Sequence, residues 1–250
     1  MLVFFKVLLM RYRILLCYLF ILNCNGFCQQ KVSFLASDSL KITADIYLNN
    51  YSFPFILLFH QNGYSRGEYL EIAGKLLNLD YNCLAVDLRS GGKVNYIKNE
   101  TAFRAQSSNI SYKLIDSQRD VLAAIEYVSK YNNKPVILFG SSYSASLCMM
   151  AGKNNGRVSA VVAFSPGEYF EPEISVKKEI KNFDKPLFVS SSENEYPYIL
   201  EMLDNSAENI RTIYRYSDGN NAHGAKVLWE SNKDSNECWL ELLMFFRKIK

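Results

Sequence analysis

Histidine is nearly missing from this chain: 250 residues contain two, His60 and His223. That scarcity excludes a histidine-rich metal centre and confines any imidazole chemistry to those two positions. Cysteine is thin as well. Of six cysteines, Cys17, Cys24 and Cys28 crowd the N-terminus, while Cys83, Cys148 and Cys238 stand far apart without CxxC spacing. They form neither a disulfide framework nor a zinc site, and Cys83 and Cys148, set in apolar runs, are expected in the core. Net charge is also wanting. The formal +3 arises from 28 basic and 25 acidic residues, and the first 28 residues hold three of the bases and no acid. The remainder is balanced, 25 against 25, so nothing draws it to the phosphates of a nucleic acid.

What is present begins with a leader. Lys6, Arg11 and Arg13 precede an unbroken apolar run from Ile14 to Leu22, and Asn23 to Cys28 follow. A basic region, a short apolar stretch and a small residue ahead of a cut after Cys28 match a cleaved export signal. Nine apolar residues are too few to span a bilayer, and extending back to Leu2 would bury three cations. The expected division is residues 1–28 as signal peptide and 29–250 as one domain. The expected location is periplasmic or extracellular, with no stable membrane span after cleavage. Lipoprotein processing at Cys24 or Cys28 is a variant of the same route.

The body shows no repeat, low-complexity tract or linker. Two strand-like segments, Val32–Leu35 and Lys41–Leu48, open it. Apolar runs of strand length then alternate with helical patterns: strands at Pro54–His60, Asn82–Leu88, Pro135–Phe139, Val158–Phe164, Pro186–Ser190 and Arg211–Tyr216. Helices are expected at Glu68–Leu79, Lys113–Tyr131, Ala145–Gly152 and about Glu237–Ile249. Strands apolar throughout must be covered on both faces, which implies an α/β architecture with a mostly parallel, doubly wound sheet. The first two strands are expected as an antiparallel addition at its edge. The segment Pro166–Lys185 is short, so no cap domain is expected.

A serine on a sharp strand-to-helix turn carries the pattern G-x-S-x-G, because the turn is strained and its neighbours pack closely. The literal match is Gly63-Tyr64-Ser65-Arg66-Gly67. Ser65, however, lies several residues beyond its strand, and with Glu68 three residues later it reads as the N-cap of a capping box. The imperfect match Gly140-Ser141-Ser142-Tyr143-Ser144 is better, since a strand runs straight into it and a helix of small residues leaves it. Ser142 is therefore the expected nucleophile, with Ser144 replacing the second glycine at some steric cost.

A serine hydroxyl needs a base, usually histidine. In sheets that carry such an elbow the order along the chain is serine, acid, histidine, and only His223 satisfies it. The acid must orient and stabilise the imidazolium. Glu195 is best placed, just past the strand Pro186–Ser190; Glu193, Glu168 and Asp218 are rivals. Two N–H donors should face the developing oxyanion. Tyr143, just after the nucleophile, supplies one; the backbone of Asn62 is favoured for the other, with Gln61 second. His60 then braces that loop.

LLFHQNGYSRGEY (57 to 69), VDLRSGG (86 to 92), VILFGSSYSA (136 to 145), SPGEYF (165 to 170) and His223-Gly224 together resemble the α/β-hydrolase superfamily, particularly its compact dienelactone-hydrolase-like members. The resemblance covers most of the chain after the leader. It implies a serine-type hydrolase working through an acyl-enzyme, with Ser142, Glu195 and His223 as its triad, no cofactor and a small-molecule acyl substrate. Three departures stand out. Dienelactone hydrolases proper carry cysteine as nucleophile, Gln61 replaces the glycine usual after the loop histidine, and the acid is glutamate rather than the commoner aspartate. Asp87-Leu88-Arg89 resembles a family turn read here as structural. An exported carboxylic-ester hydrolase leads; a peptidase of the same fold and a non-catalytic ligand-binding member are the alternatives.

Overall fold

The computed structural model describes residues 28–204, 208–217 and 223–250. Strands β1 (Cys28–Leu35) and β2 (Lys41–Leu48) come first, then β3 (Phe55–Phe59), helix α1 (Leu70–Leu77) and β4 (Asn82–Val86). A small hairpin, β5 (Lys93–Val94) and β6 (Ile97–Lys98), leads to α2 (Glu100–Ser107) and α3 (Gln118–Val128). Next are β7 (Val136–Ser141), α4 (Tyr143–Gly152), β8 (Val158–Phe164) and the single turn α5 (Val176–Glu179). The chain closes through β9 (Leu187–Ser192), α6 (Tyr196–Met202), β10 (Arg211–Tyr216) and α7 (Ser235–Ile249). The expected leader lies outside the described residues except for Cys28, which starts β1.

Eight strands form one sheet in the order β1-β2-β4-β3-β7-β8-β9-β10. β2 runs antiparallel to both of its neighbours, and all pairings from β4 to β10 are parallel. This is the α/β-hydrolase arrangement, with its antiparallel strands at the N-terminal edge. The segment from Pro166 to Lys185 holds only α5 and adds no cap domain.

Why these segments become central strands follows from burial. Every residue of β3 and β4 is buried. Alternate side chains point to opposite faces, and each face has its own core. Phe55, Leu57 and Phe59 join a cluster with residues of α3 and α4, whereas Ile56 and Leu58 join one with α1 and α7. Removing each such Leu or Phe from water contributes roughly 1.5–3 kcal/mol. α4 is almost wholly buried, which explains why its sequence shows no polar stripe. Cys83, Cys148 and Cys238 are all buried with free thiols.

Several boundaries differ from the sequence reading. The helix expected from Glu68 begins as a 3-10 turn, Arg66–Tyr69, with α1 following at Leu70. The helix expected from Lys113 likewise opens with a 3-10 turn, Leu114–Ser117. α4 starts two residues before the expected Ala145, because the elbow passes directly into it. The β5–β6 hairpin, α2 and α6 had no periodic signal of their own.

Asp87-Leu88-Arg89 is structural. Arg66 pairs with Asp87 at 2.6 Å and with Asp45 at 3.0 Å, all three buried. Arg89, fully buried, holds Asp120 at 2.7 Å and Asp38 at 2.6 Å. Burial pushes the Asp120 carboxyl up to about 6 against the hydrogen bonds from Arg89. Arg66 thus ties the turn after β4 to the segment that follows β3, and Arg89 ties it to the β1–β2 turn and to α3. Removing one partner strands buried charge, so Arg89→Met is expected to cost about 3–5 kcal/mol, measured as a lower midpoint in urea denaturation.

Candidate active site

Strand register assembles the site. Phe59 lies opposite both Val86 and Gly140, Ser141 opposite Phe164, and Phe164 opposite Ser190. The carboxyl ends of β3, β7, β8 and β9 therefore share one edge of the sheet, and the loops that leave them emerge side by side.

Ser142 follows β7 at φ 60° and ψ −126°, a backbone region that side chains with a Cβ rarely enter. Its N–H donates to the carbonyl of Phe164 at 2.7 Å, and its own carbonyl accepts from Ala145 at 2.9 Å. A Cβ at Gly140 would lie 2.5 Å from the backbone of Ala145, so the turn needs glycine there. Position 144 is different. The buried Ser144 hydroxyl donates to the carbonyl of Phe59 at 2.6 Å and accepts the N–H of Ser141 at 2.9 Å. The expected steric cost of a serine is answered by a fastening between the elbow and the end of β3.

His223 and Glu195, distant in sequence, meet this serine. His223 Nε2 lies 2.7 Å from Ser142 Oγ, and His223 Nδ1 lies 2.6 Å from Glu195 Oε1. With Nδ1 donating to the carboxylate, Nε2 is left to accept the serine proton. The second oxygen of Glu195 accepts from the Ser165 hydroxyl at 2.8 Å and from Ser192 N–H at 3.1 Å. Burial by itself would raise the Glu195 carboxyl, but the hydrogen bonds from His223, Ser192 and Ser165 hold it below the usual carboxylate value. It therefore faces His223 as an anion at neutral pH.

The rival acids are placed elsewhere. Glu193 is exposed. Glu168 accepts the N–H groups of Val176 and Lys177 at 2.6 and 2.8 Å, capping α5. Asp218 lies outside the described residues.

In the loop after β3, Gln61 and Asn62 part company. The N–H of Gln61 donates to Glu68 Oε2 at 2.8 Å and is not free to face an oxyanion. The carbonyl of Gln61 accepts from His60 Nδ1 at 2.8 Å and from Tyr64 N–H at 3.2 Å. His60 is buried, its Nε2 accepting Leu88 N–H at 2.9 Å, and burial pushes its pKa down to about 4. It is a neutral brace. Asn62 is exposed, and Tyr143 opens α4, where an N–H has no intrahelical acceptor.

Sequence reasoning missed three residues. Ser165, at φ 50°, holds the acid and also accepts Gly224 N–H at 3.1 Å. Its position just after β8, beside an unassigned SPG, was the available signal. Ser141 and Glu68 form a buried hydrogen-bonded pair next to Ser142 in the chain. The capping-box reading of Ser65 is half corrected: Ser65 does accept Gly67 N–H at 3.2 Å, but the Glu68 carboxylate turns inward rather than back to the cap. Its donors lie in the core.

A cleft of about 290 Å³ lined by Pro166, Tyr169, Tyr198 and Met202 adjoins Glu195. Among the described residues no group of His, Cys, Asp or Glu could hold a metal ion, and no helix is long and apolar enough to cross a membrane.

Among known proteins, the sequence profile of the dienelactone hydrolase family matches residues 45–216, more than half of the chain. The chain belongs to the dienelactone hydrolase family. It is a hydrolase of that fold, and the profile match takes in Ser142 and Glu195 but ends before His223. No curated protein sequence matches it. Solved structures agree on the fold. An esterase from Pyrococcus furiosus superposes with a TM-score of 0.65 at 18% identity, covering 89% of this chain and 93% of that one. A dienelactone hydrolase from Anabaena variabilis gives 0.64 at 14%, covering 89% and 97%. An acylaminoacyl peptidase from Pyrococcus horikoshii gives 0.65 at 14%, covering 92% of this chain but 43% of the peptidase. Because a side chain at position 140 meets backbone, Gly140→Ala in this family member is expected to cost about 1–3 kcal/mol and to lower the denaturation midpoint.

Proposed function

We propose that this protein hydrolyses a carboxylic ester through an acyl-enzyme on Ser142. One observation carries the reading: the continuous hydrogen-bonded line from Ser142 Oγ through His223 to Glu195, at 2.7 and 2.6 Å. In this mechanism Ser142 Oγ attacks the carbonyl carbon while His223 Nε2 takes its proton. Glu195 stabilises the imidazolium without becoming protonated. The tetrahedral oxyanion is met by the N–H groups of Tyr143 and Asn62. Collapse breaks the bond to the leaving alcohol, which receives the proton from His223. Water, deprotonated by the same imidazole, then attacks the acyl group and releases the acid, restoring the serine.

An ester is favoured by the likeness to the Pyrococcus furiosus esterase, whose fold this chain shares at a TM-score of 0.65. The Pro166–Lys185 segment holds one short helix, α5, and its Pro166 and Tyr169 line the cleft beside Glu195. The basic leader supports action outside the cytoplasm, in the periplasm or beyond.

A fluorophosphonate probe should label the wild type and not Ser142→Ala, whose ester turnover should fall roughly 10⁵- to 10⁶-fold. Glu195→Gln should lose about 10⁴-fold in kcat, because a carboxamide holds the wrong tautomer of the histidine. Equal labelling of wild type and Ser142→Ala would remove Ser142 from the chemistry. A panel of esters with no member turned over, beside tight binding of one of them, would favour the ligand-binding alternative.

A further inference from the structure

Glu68 is wholly buried where three loops meet. Its Oε2 accepts the N–H of Gln61 at 2.8 Å and its Oε1 accepts the hydroxyl of Ser141 at 2.7 Å. Ser141 Oγ in turn accepts the N–H of Ala225 at 2.8 Å. One side chain thus joins the loop after β3, the residue before the nucleophile, and the turn two residues past His223. The main-chain carbonyl of Glu68 takes Trp229 Nε1 at 2.9 Å, tying that turn down at its far end as well.

The donor pattern suits a carboxyl group, with its two oxygens, rather than a carboxamide. Gln61 N–H can only donate. Ser141 donates its hydroxyl to Glu68 Oε1 while its oxygen receives Ala225 N–H. Two converging donors need two acceptor oxygens, which a carboxylate has and a carboxamide lacks. The fit is tight as well: Gly224 stands at φ 73°, and a Cβ there would meet Ser141 Oγ at 2.3 Å. Backbone geometry carries the effect onward. Gln61 is held at its N–H by Glu68 and at its carbonyl by His60. In a trans peptide the next N–H, that of Asn62, points opposite to that carbonyl.

We propose that Glu68 is a positioning residue for the hydrolysis, holding the Asn62 N–H, the elbow and the histidine turn in mutual register without touching substrate. The proposal rests on the Ser142 reading above. It assigns a role to a carboxylate that lies outside the triad and that the sequence disguises as a helix cap.

The test uses Glu68→Gln, which keeps shape but can accept only one of the two donors, Glu68→Ala, which can accept neither, and Ser141→Ala, which keeps the carboxyl group and removes the elbow bond. Active sites are counted with the fluorophosphonate, so that loss of folded protein is separated from loss of rate. Per labelled site, Glu68→Gln is expected to lower kcat 10- to 100-fold with KM within threefold, and Ser141→Ala to lower it about three- to tenfold. Amide hydrogen exchange at Gln61 should quicken at least tenfold in Glu68→Ala, which leaves the Gln61 N–H without its carboxyl acceptor. Should Glu68→Gln fail to fold, Ser141→Ala decides the kinetic arm. Either folded variant turning over at the wild-type rate per site overturns the proposal. A wild type without ester turnover would sink the Ser142 reading instead; the exchange measurement still decides, and unchanged protection at Gln61 overturns the role of Glu68.

Discussion

Ser142 sits in a backbone conformation that an isolated residue with a side chain would leave, and the surrounding structure exists in part to keep it there. Its N–H is tied to Phe164 on β8. The residue two before it is a glycine pressed against the following helix, and the residue two after it is a serine bonded to the end of β3. Three adjacent parallel strands therefore share the strain of one position. That sharing requires their carboxyl ends to be level, as the pairings Phe59↔Gly140 and Ser141↔Phe164 make them. Slip any one strand and the hydroxyl loses its aim.

Two glutamates near this serine are tuned in opposite directions by their surroundings. Glu195 accepts from His223, Ser165 and Ser192, and those donors outweigh burial and keep it ionised. Glu68 has two donors but lies deeper, and burial pushes its pKa up to about 7. One carboxylate is suited to oppose a charge that comes and goes on an imidazole. The other is suited to hold its neighbours still. Number of donors and depth separate the two, since the side chains are chemically identical.

Much of this was readable before any coordinates. Uninterrupted apolar runs announced central strands because both faces of β3 and β4 are covered, and chain order singled out His223 because its only competitor precedes the serine. What escaped notice did so for physical reasons. α2 and α6 are short, and α2 buries only Thr101, Ala102 and Ala105, too little to impose a periodic pattern. Ser165 and Ser141 are small polar residues whose importance lies in what they bond to across the fold, which composition does not encode. Glu68 was misread because its spacing from Ser65 suits a local contact. Its actual donors come from positions 61 and 141, and that preference is created only once β3 and β7 lie side by side. Gln61 lost its claim as an oxyanion donor for the same reason.

The sulfur chemistry of the body has a practical corollary. Cys83 and Cys148 sit in the core with their thiols pushed far up by burial, and burial raises Cys238 to about 12. None is a ready nucleophile toward oxidants or another thiol. No disulfide joins any of these three, so the core around them is held by hydrogen bonds and apolar contact. Folding at these positions needs no disulfide isomerase, and reductant added to the purified protein finds no cross-link among the three to sever.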